Sequence, residues 1–134
     1  MRIGLDANVF VSGVFFTGPP NQILVAWRDG DIKFVISPEI LEEYRRVGEI
    51  LREEREDVDL GPILHLITMK AELVDAPPLE EQVVTDSDDD KFLACALAGK
   101  VRYIVSGDRA LQKVSGWSGV EVLSPRAFVD AYVR

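Results

Sequence analysis

Soft-metal chemistry has little to work with in this chain, because its 134 residues hold one cysteine and one histidine. Zinc sites need several Cys or His ligands at short spacing, and neither Cys95 nor His65 has a partner of either kind nearby, so no zinc centre is expected. A lone cysteine makes no intramolecular disulfide and agrees with a reducing compartment. Glycine-rich phosphate cradles are missing too: there is no GxxxxGK[ST] run and no GxGxxG after a strand. No internal repeat is present, and no apolar run approaches the roughly 20 residues needed to cross a bilayer. The chain opens on an apparent strand rather than on a charged-then-apolar leader. These absences together predict a cytoplasmic protein without a membrane partner.

Positive charge is also scarce, with 15 Lys and Arg against 23 Asp and Glu and a formal net charge of −8. Nucleic-acid binders usually show the opposite sign, so a broad basic face gripping a phosphate backbone is excluded. An acidic pocket that approaches phosphates through a bound hard cation is not excluded. What is present is an ordinary globular composition, 47% hydrophobic and 28% charged. The length suits a single domain over residues 1–134, with a core of its own.

The stretch from Arg2 to Val11 begins as a short apolar run that gives way to Ala7 and Asn8. Asp6 therefore falls at the carboxyl end of a buried strand, where open α/β sheets place their sites. A carboxylate there needs a cation, hydrogen-bond donors or a proton. The competing reading is a tight turn in which Asp6 and Asn8 bond their own backbone. Gly18-Pro19-Pro20-Asn21 then marks a turn, residues 22–28 a short amphipathic helix ended by Gly30, and residues 32–36 a second strand.

Ser37-Pro38 reads as a helix start, with Ser as N-cap and Pro in the first turn. Over residues 38–53, Ile40, Leu41, Tyr44, Val47 and Leu51 share one face. At about 100° per residue, Glu42 points to solvent and Glu43 flanks the apolar stripe. Glu43 either turns toward a site or pairs with a neighbouring arginine as an ordinary boundary glutamate. The mixed charges of 52–59 predict solvated helix surface or connecting loop. Gly61-Pro62 restarts structure, and a packed helix carrying Ile63, Leu64, Leu66, Ile67 and Met69 follows. Leu73-Val74 predicts a short edge strand and Ala76-Pro77-Pro78 a break.

A further helix begins among Asp86, Asp88, Asp89 and Asp90, with Phe92, Leu93, Ala96 and Leu97 as its inward stripe. Projected backwards at about 100° per residue, Asp89 falls nearest the middle of that stripe, Asp90 to one side and Asp88 further off. N-capping and the helix macrodipole account for one or two such acids. They do not account for four within five positions, whose repulsion costs stability unless a cation offsets it. Tyr103 to Val105 reads as a short buried strand, and Asp108 just beyond it repeats the geometry of Asp6. Right-handed crossovers put parallel strand ends on one edge, so these distant acids can meet. Residues 120–123 predict the last strand and Ser124-Pro125 the cap of a C-terminal helix over 127–133, with Trp117 in the loop between.

Asp6, Glu43, Asp89 and Asp108 offer oxygen ligands alone, a set for Mg²⁺ or Mn²⁺ rather than zinc, and such clusters usually serve phosphoryl chemistry. Four stretches come in a telling order: Leu5-Asp6-Ala7-Asn8-Val9-Phe10-Val11-Ser12, Ser37-Pro38-Glu39-Ile40-Leu41-Glu42-Glu43-Tyr44, Asp89-Asp90-Lys91-Phe92-Leu93-Ala94-Cys95-Ala96-Leu97 and Ile104-Val105-Ser106-Gly107-Asp108-Arg109. In that order the chain resembles the PIN-domain nucleases, and within them the toxin components of bacterial and archaeal toxin–antitoxin pairs, over nearly its whole length.

The resemblance implies an α/β fold, a parallel sheet of about four to five strands flanked by helices. It implies endonucleolytic hydrolysis of RNA, with Asp6, Glu43, Asp89 and Asp108 as the catalytic quartet that binds Mg²⁺ or Mn²⁺ and positions the hydrolytic water. Asn8 would support Asp6 by hydrogen bonding, Ser106 stands where the family often has Thr, and Asp86 is secondary support. A homodimer and an antitoxin protein covering the active groove are implied as well. Arg45, Arg46, Lys91, Arg109 and Lys113 neighbour the acids and are either phosphate contacts or bland surface charges. Two other classes stay open. A receiver-like phosphoryl-transfer domain would need a strand-end lysine near a phospho-acceptor Asp, whereas Lys100 precedes its strand. A non-catalytic binding module of the same fold is compatible with the net charge.

Overall fold

The strands at the centre of the sheet are nearly all apolar, as strands covered on both faces must be. In β1 (Arg2–Leu5), β2 (Lys33–Ile36) and β4 (Tyr103–Val105), the side chains of Ile3, Leu5, Phe34, Val35, Ile36, Ile104 and Val105 are at most 1% exposed. Shorter strands flank them, β3 (Glu72–Leu73) and β5 (Glu121–Leu123), and the order is β3-β2-β1-β4-β5 with every pair parallel. The computed structural model describes residues 1–57 and 59–133; Val58, inside the charged 52–59 stretch, and Arg134 lie outside the described residues. Among the described residues the expected sheet of four to five strands has five.

Helices connect the strands. They are α1 (Ala7–Phe15), α2 (Pro19–Arg28), α3 (Pro38–Glu54), α4 (Gly61–Lys70), α5 (Asp90–Gly99), α6 (Arg109–Gln112) and α7 (Pro125–Tyr132), with 3₁₀ turns at Ser87–Asp89 and Trp117–Gly119. The start of α3 is as the sequence predicts: Ile40 N donates to Ser37 Oγ at 3.3 Å, and Pro38 sits in the first turn. α7 starts earlier than expected but is likewise capped by Ser124, whose Oγ accepts from Ala127 N at 3.1 Å. Among the described residues no single helix is long and apolar enough to cross a membrane.

The structure departs from the sequence reading in four of the helices, α1, α2, α4 and α5. α1 was not expected; Val9, Phe10 and Val11 look like strand residues, yet they form a helix whose Ala7, Val9, Phe10, Val11 and Gly13 are all buried. A helix covered on most sides loses the polar face that would announce its period. α2 likewise begins at Pro19, inside the predicted turn, because proline is tolerated at a helix start. On α5 the expected inward stripe is shifted: Phe92, Leu93 and Ala96 are buried, but Leu97 is 51% exposed, while Ala94 and Cys95 are buried instead. The predicted packing of α4 is also looser than expected, with Ile67 its one fully buried residue and Met69 exposed.

From β1 the chain winds outward to β2 and β3, then returns across the sheet to β4 and β5. Strand order therefore reverses between β1 and β4, the crevice where open α/β sheets bind ligands. Receiver-type domains reverse between their first and third strands, so the topology separates this protein from that class. Two contacts fix what lies above the crevice. The Tyr44 hydroxyl, on α3, donates to the carbonyl oxygen of Leu5, the last residue of β1, and the Tyr44 ring stacks on Phe10 of α1 at 4.9 Å. α1 in turn presses on α2 at Gly13, where a Cβ would stand 2.7 Å from both the Pro20 carbonyl oxygen and Leu24 Cδ1.

Because one of those two neighbours is backbone, Gly13→Ala is expected to lower stability. Overpacking of about 1–3 kcal/mol outweighs a gain in helix propensity of about 1 kcal/mol. Urea unfolding should show a reduced midpoint, and a midpoint at or above wild type would mean that α1 and α2 can separate freely.

Candidate active site

Asp6 follows β1 directly, and its backbone N–H donates to Val105 O at 3.0 Å, which ties the carboxyl ends of β1 and β4 together. Only 7% of the residue is exposed. Its Oδ2 accepts from Ser106 Oγ at 2.7 Å. Its Oδ1 accepts weakly from the backbone N–H of Asn8 at 3.4 Å. Asn8 thus contacts Asp6 through its main chain, while the residue as a whole is exposed. Burial raises the pKa of Asp6 and the charges of Glu43 and Asp108 push the same way, against the Ser106 and Asn8 hydrogen bonds, which lower it.

Ser106 is fully buried and serves two acids at once. Its Oγ donates to Asp6 and accepts from the backbone N–H of Asp108 at 3.0 Å. Gln112 Nε2 holds the Ser106 carbonyl oxygen at 2.7 Å. Asp108 caps α6, with Oδ1 accepting from Ala110 N at 2.8 Å.

The four acids around residue 88 divide their tasks. Asp86 caps the 3₁₀ turn by accepting from Asp88 N at 3.0 Å. Asp90 accepts from the backbone N–H groups of Val83 and Val84, the latter at 2.8 Å, and so fastens the 76–84 strap to α5. Asp88 is exposed and meets Lys91. Asp89 is left to face the strand ends, where its carboxyl is pushed up to about 7 by burial first, then by a hydrogen bond with the Asp108 carboxyl and by the charges of Asp108, Asp6 and Asp86. Burial and neighbouring like charge both disfavour the ionised form of a carboxyl.

Glu43 completes the group from α3, one residue before Tyr44, with its side chain 12% exposed. Glu42, its neighbour, is exposed and pairs with Arg45 at 2.6 Å. Glu43 does have the arginine partner of the bland reading, Arg46 at 3.6 Å, but Lys91 lies nearer at 2.7 Å. Of the other basic candidates, Arg45 is occupied by Glu42 and Glu49, and Arg109 and Lys113 are exposed. His65 is exposed on α4. Tyr44 was legible only as one member of an apolar stripe. Its hydroxyl is what marks it as a positioning residue, since a buried tyrosine needs a polar partner.

Asp6, Asp89 and Asp108 each occupy the N-cap position of a helix, α1, α5 and α6. Those helix starts present backbone N–H groups that offset part of the mutual repulsion. Among the described residues, no three carboxylates as their side chains stand converge closely enough to hold one metal ion. The donor chemistry nevertheless fits a hard divalent cation. A carboxyl pushed up to about 7 by burial first and then by surrounding carboxylates is one whose proton a cation would displace.

A family model described as PIN domain matches residues 2–110, a span that includes all four acids. The chain belongs to the PIN domain family. No curated protein matches it. PIN domains are generally nucleases and typically use divalent metals, so the coarse function of this PIN domain is nuclease-type hydrolysis.

The raised carboxyl of Asp89 makes a pH prediction for this PIN domain. Asp89 has a folded pKa of about 7 against an ordinary 3.8, so the folded protein holds a proton that the unfolded chain sheds. Its stabilising effect is full below the ordinary value and is lost as pH rises through about 7. In EDTA the wild type should therefore lose thermal stability on going from about pH 5 to pH 8 relative to Asp89→Asn. The variant should melt about 2–4 °C higher at the alkaline end, a modest shift because Asp89 is partly solvated. Parallel melting curves for the two proteins would place the proton elsewhere.

Proposed function

We propose that this protein is a Mg²⁺- or Mn²⁺-dependent endoribonuclease and the toxin of a toxin–antitoxin pair. The observation that carries the reading is the placing of Asp6, Asp89 and Asp108 around the reversal of strand order, near enough that Asp108 and Asp6, after burial, help push the Asp89 carboxyl up to about 7. Asp6, Asp89 and Asp108, with Glu43 beside them, are the residues that would hold the metal. Bound there, the metal would activate water and neutralise charge on the phosphodiester and its leaving oxygen. Ser106 keeps Asp6 Oδ2 aimed into the crevice, and Tyr44 keeps α3, and with it Glu43, against the end of β1. Cation binding would release the proton that Asp89 holds.

The choice of RNA and of a toxin role is supported by the order of the four sequence motifs, which resembles the toxin branch of the family. On this reading the protein works in the cytoplasm, pairs with itself and is silenced by an antitoxin that covers the acids. A second reading, a binding module that holds metal without cleaving, is favoured by the net charge of −8. An RNA substrate must then approach against that charge, so the local cations near the acids matter more than the global field.

Incubation of a mixed RNA pool with and without Mn²⁺, using wild type, Asp6→Asn and Asp89→Asn, separates these readings. Metal-dependent scission is expected from wild type, reduced by about 100-fold or more in either variant. Equal scission by all three proteins would point to a contaminating nuclease and remove the assignment. Mn²⁺ binding without scission would establish the binding module.

A further inference from the structure

A cavity of about 350 Å³ opens between the start of α3, the 76–84 strap and the first turns of α5. Pockets of about this size hold small organic groups. Its apolar walls come from Ala76, Pro78, Leu79 and Ala94, and the strap that supplies three of them is held in place by Asp90, which accepts from Val83 N and Val84 N. Lys91 lines the cavity and also meets Glu43 at 2.7 Å, so the cavity borders the acids.

The carboxylates around the cavity are unevenly engaged. Asp90 is occupied by the strap, and Asp88 faces Lys91 at 3.2 Å. Glu39, in the first turn of α3, lines the cavity as well, and among the described residues its carboxylate takes part in no ion pair. An acid in a first turn is favoured by the helix macrodipole wherever it stands. That accounts for the residue type and not for an unengaged carboxylate beside an apolar-walled cavity at the edge of the crevice.

A carboxylate accepts hydrogen bonds and donates none. An occupant that uses both oxygens of Glu39 must therefore be apolar on its faces and present two adjacent donors along one edge. Among the RNA bases guanine does so, with N1–H beside the N2 amino group. Adenine and cytosine set a ring-nitrogen acceptor beside their amino group, and uracil sets its N–H between two carbonyls, so each would turn an acceptor toward the carboxylate. Unstacked bases of single-stranded RNA are read in this manner, by side chains against their faces and hydrogen bonds along their edges.

We propose that this cavity receives a guanine base of the RNA strand and that Glu39 is the residue that selects it. The inference rests on the reading of the neighbouring acids as an RNA-cleaving site and adds the base specificity of that site. The base enters between the strap and α5, its edge donates to Glu39, and the attached backbone stays on the Lys91 side, next to the acids.

Mn²⁺-dependent cleavage of a short single-stranded RNA carrying one guanosine, beside the same strand with inosine in its place, tests the proposal on the full chain. Inosine keeps N1–H and lacks the N2 amino group. Wild type should cut at a fixed distance from the guanosine and lose about tenfold in rate with inosine, the worth of one hydrogen bond to a charged group. Glu39→Ala, an exposed position in a good helix context, should fold and cut both strands alike. Glu42→Ala removes the same charge one turn away from a residue outside the cavity, and it should keep the tenfold difference. Scission by wild type that ignores the guanosine, a Glu39→Ala protein that still distinguishes the two strands, or equal loss of the distinction in Glu42→Ala would each overturn the role of Glu39. Wild type that cuts neither these strands nor a mixed RNA pool would overturn the ribonuclease reading itself.

Discussion

Carboxylates gathered in a crevice repel one another, and the architecture of this protein is arranged around tolerating that repulsion. β1 and β4 lie side by side where strand order reverses, so Asp6 and Asp108 leave the sheet at neighbouring points and α5 brings Asp89 against them. Each of the three stands at a helix start, and the carboxylates of Asp6 and Asp108 accept from main-chain N–H groups there, whereas that of Asp89 makes no cap hydrogen bond. Burial first, and then the neighbouring carboxylates, push the Asp89 carboxyl up to about 7. Structural and functional readings of an aspartate at a helix start are usually set against each other. At Asp6 and Asp108 the cap uses one carboxylate oxygen, so it fixes the direction of the other.

Glu43 reaches the same crevice by another route. It is not carried by a strand end itself; the hydroxyl of Tyr44 on the carbonyl of Leu5, at the end of β1, positions it, together with the stack of Tyr44 on Phe10. This hydrogen bond satisfies the last carbonyl of β1 while pinning the N-terminal half of α3 over the strand end. Lys91 then meets Glu43 from the opposite side, so the acid is held between two helices that otherwise touch lightly. A net charge of −8 would make an unattractive surface for a phosphate chain. Local cations inside the acidic group, whether a lysine or a metal, are how such a protein can still approach one.

The central strands were plain from sequence because residues 33–36 and 103–105 are short apolar runs bounded by breakers, and burial on both faces leaves no alternation to misread. The start of α3 was plain because Ser-Pro is a strong local signal. α1 was hidden, since nine residues buried nearly all round carry no helical period that a reader could detect. Helical projection chose Asp89 from its cluster, and the structure leaves Asp89 and Asp90 both half-buried, with Asp90 occupied by Val83 and Val84; the same projection misplaced Leu97, because α5 is covered over more than the one stripe assumed.

Sequence alone determined which residues carry carboxylates at strand ends and helix starts, because those positions are written in local pattern: an apolar run, then an acid, then a helix former. It also set the chemistry, oxygen ligands without thiol or imidazole company, which depends on composition and not on folding. Tertiary structure decided the rest. Only the reversal between β1 and β4 brings residues a hundred positions apart into one hydrogen bond, and only the packing of α3 on α5 gives Glu43 a lysine while leaving the three aspartates without one. Pairing of that kind depends on distances between elements remote in the chain, and no local pattern encodes them.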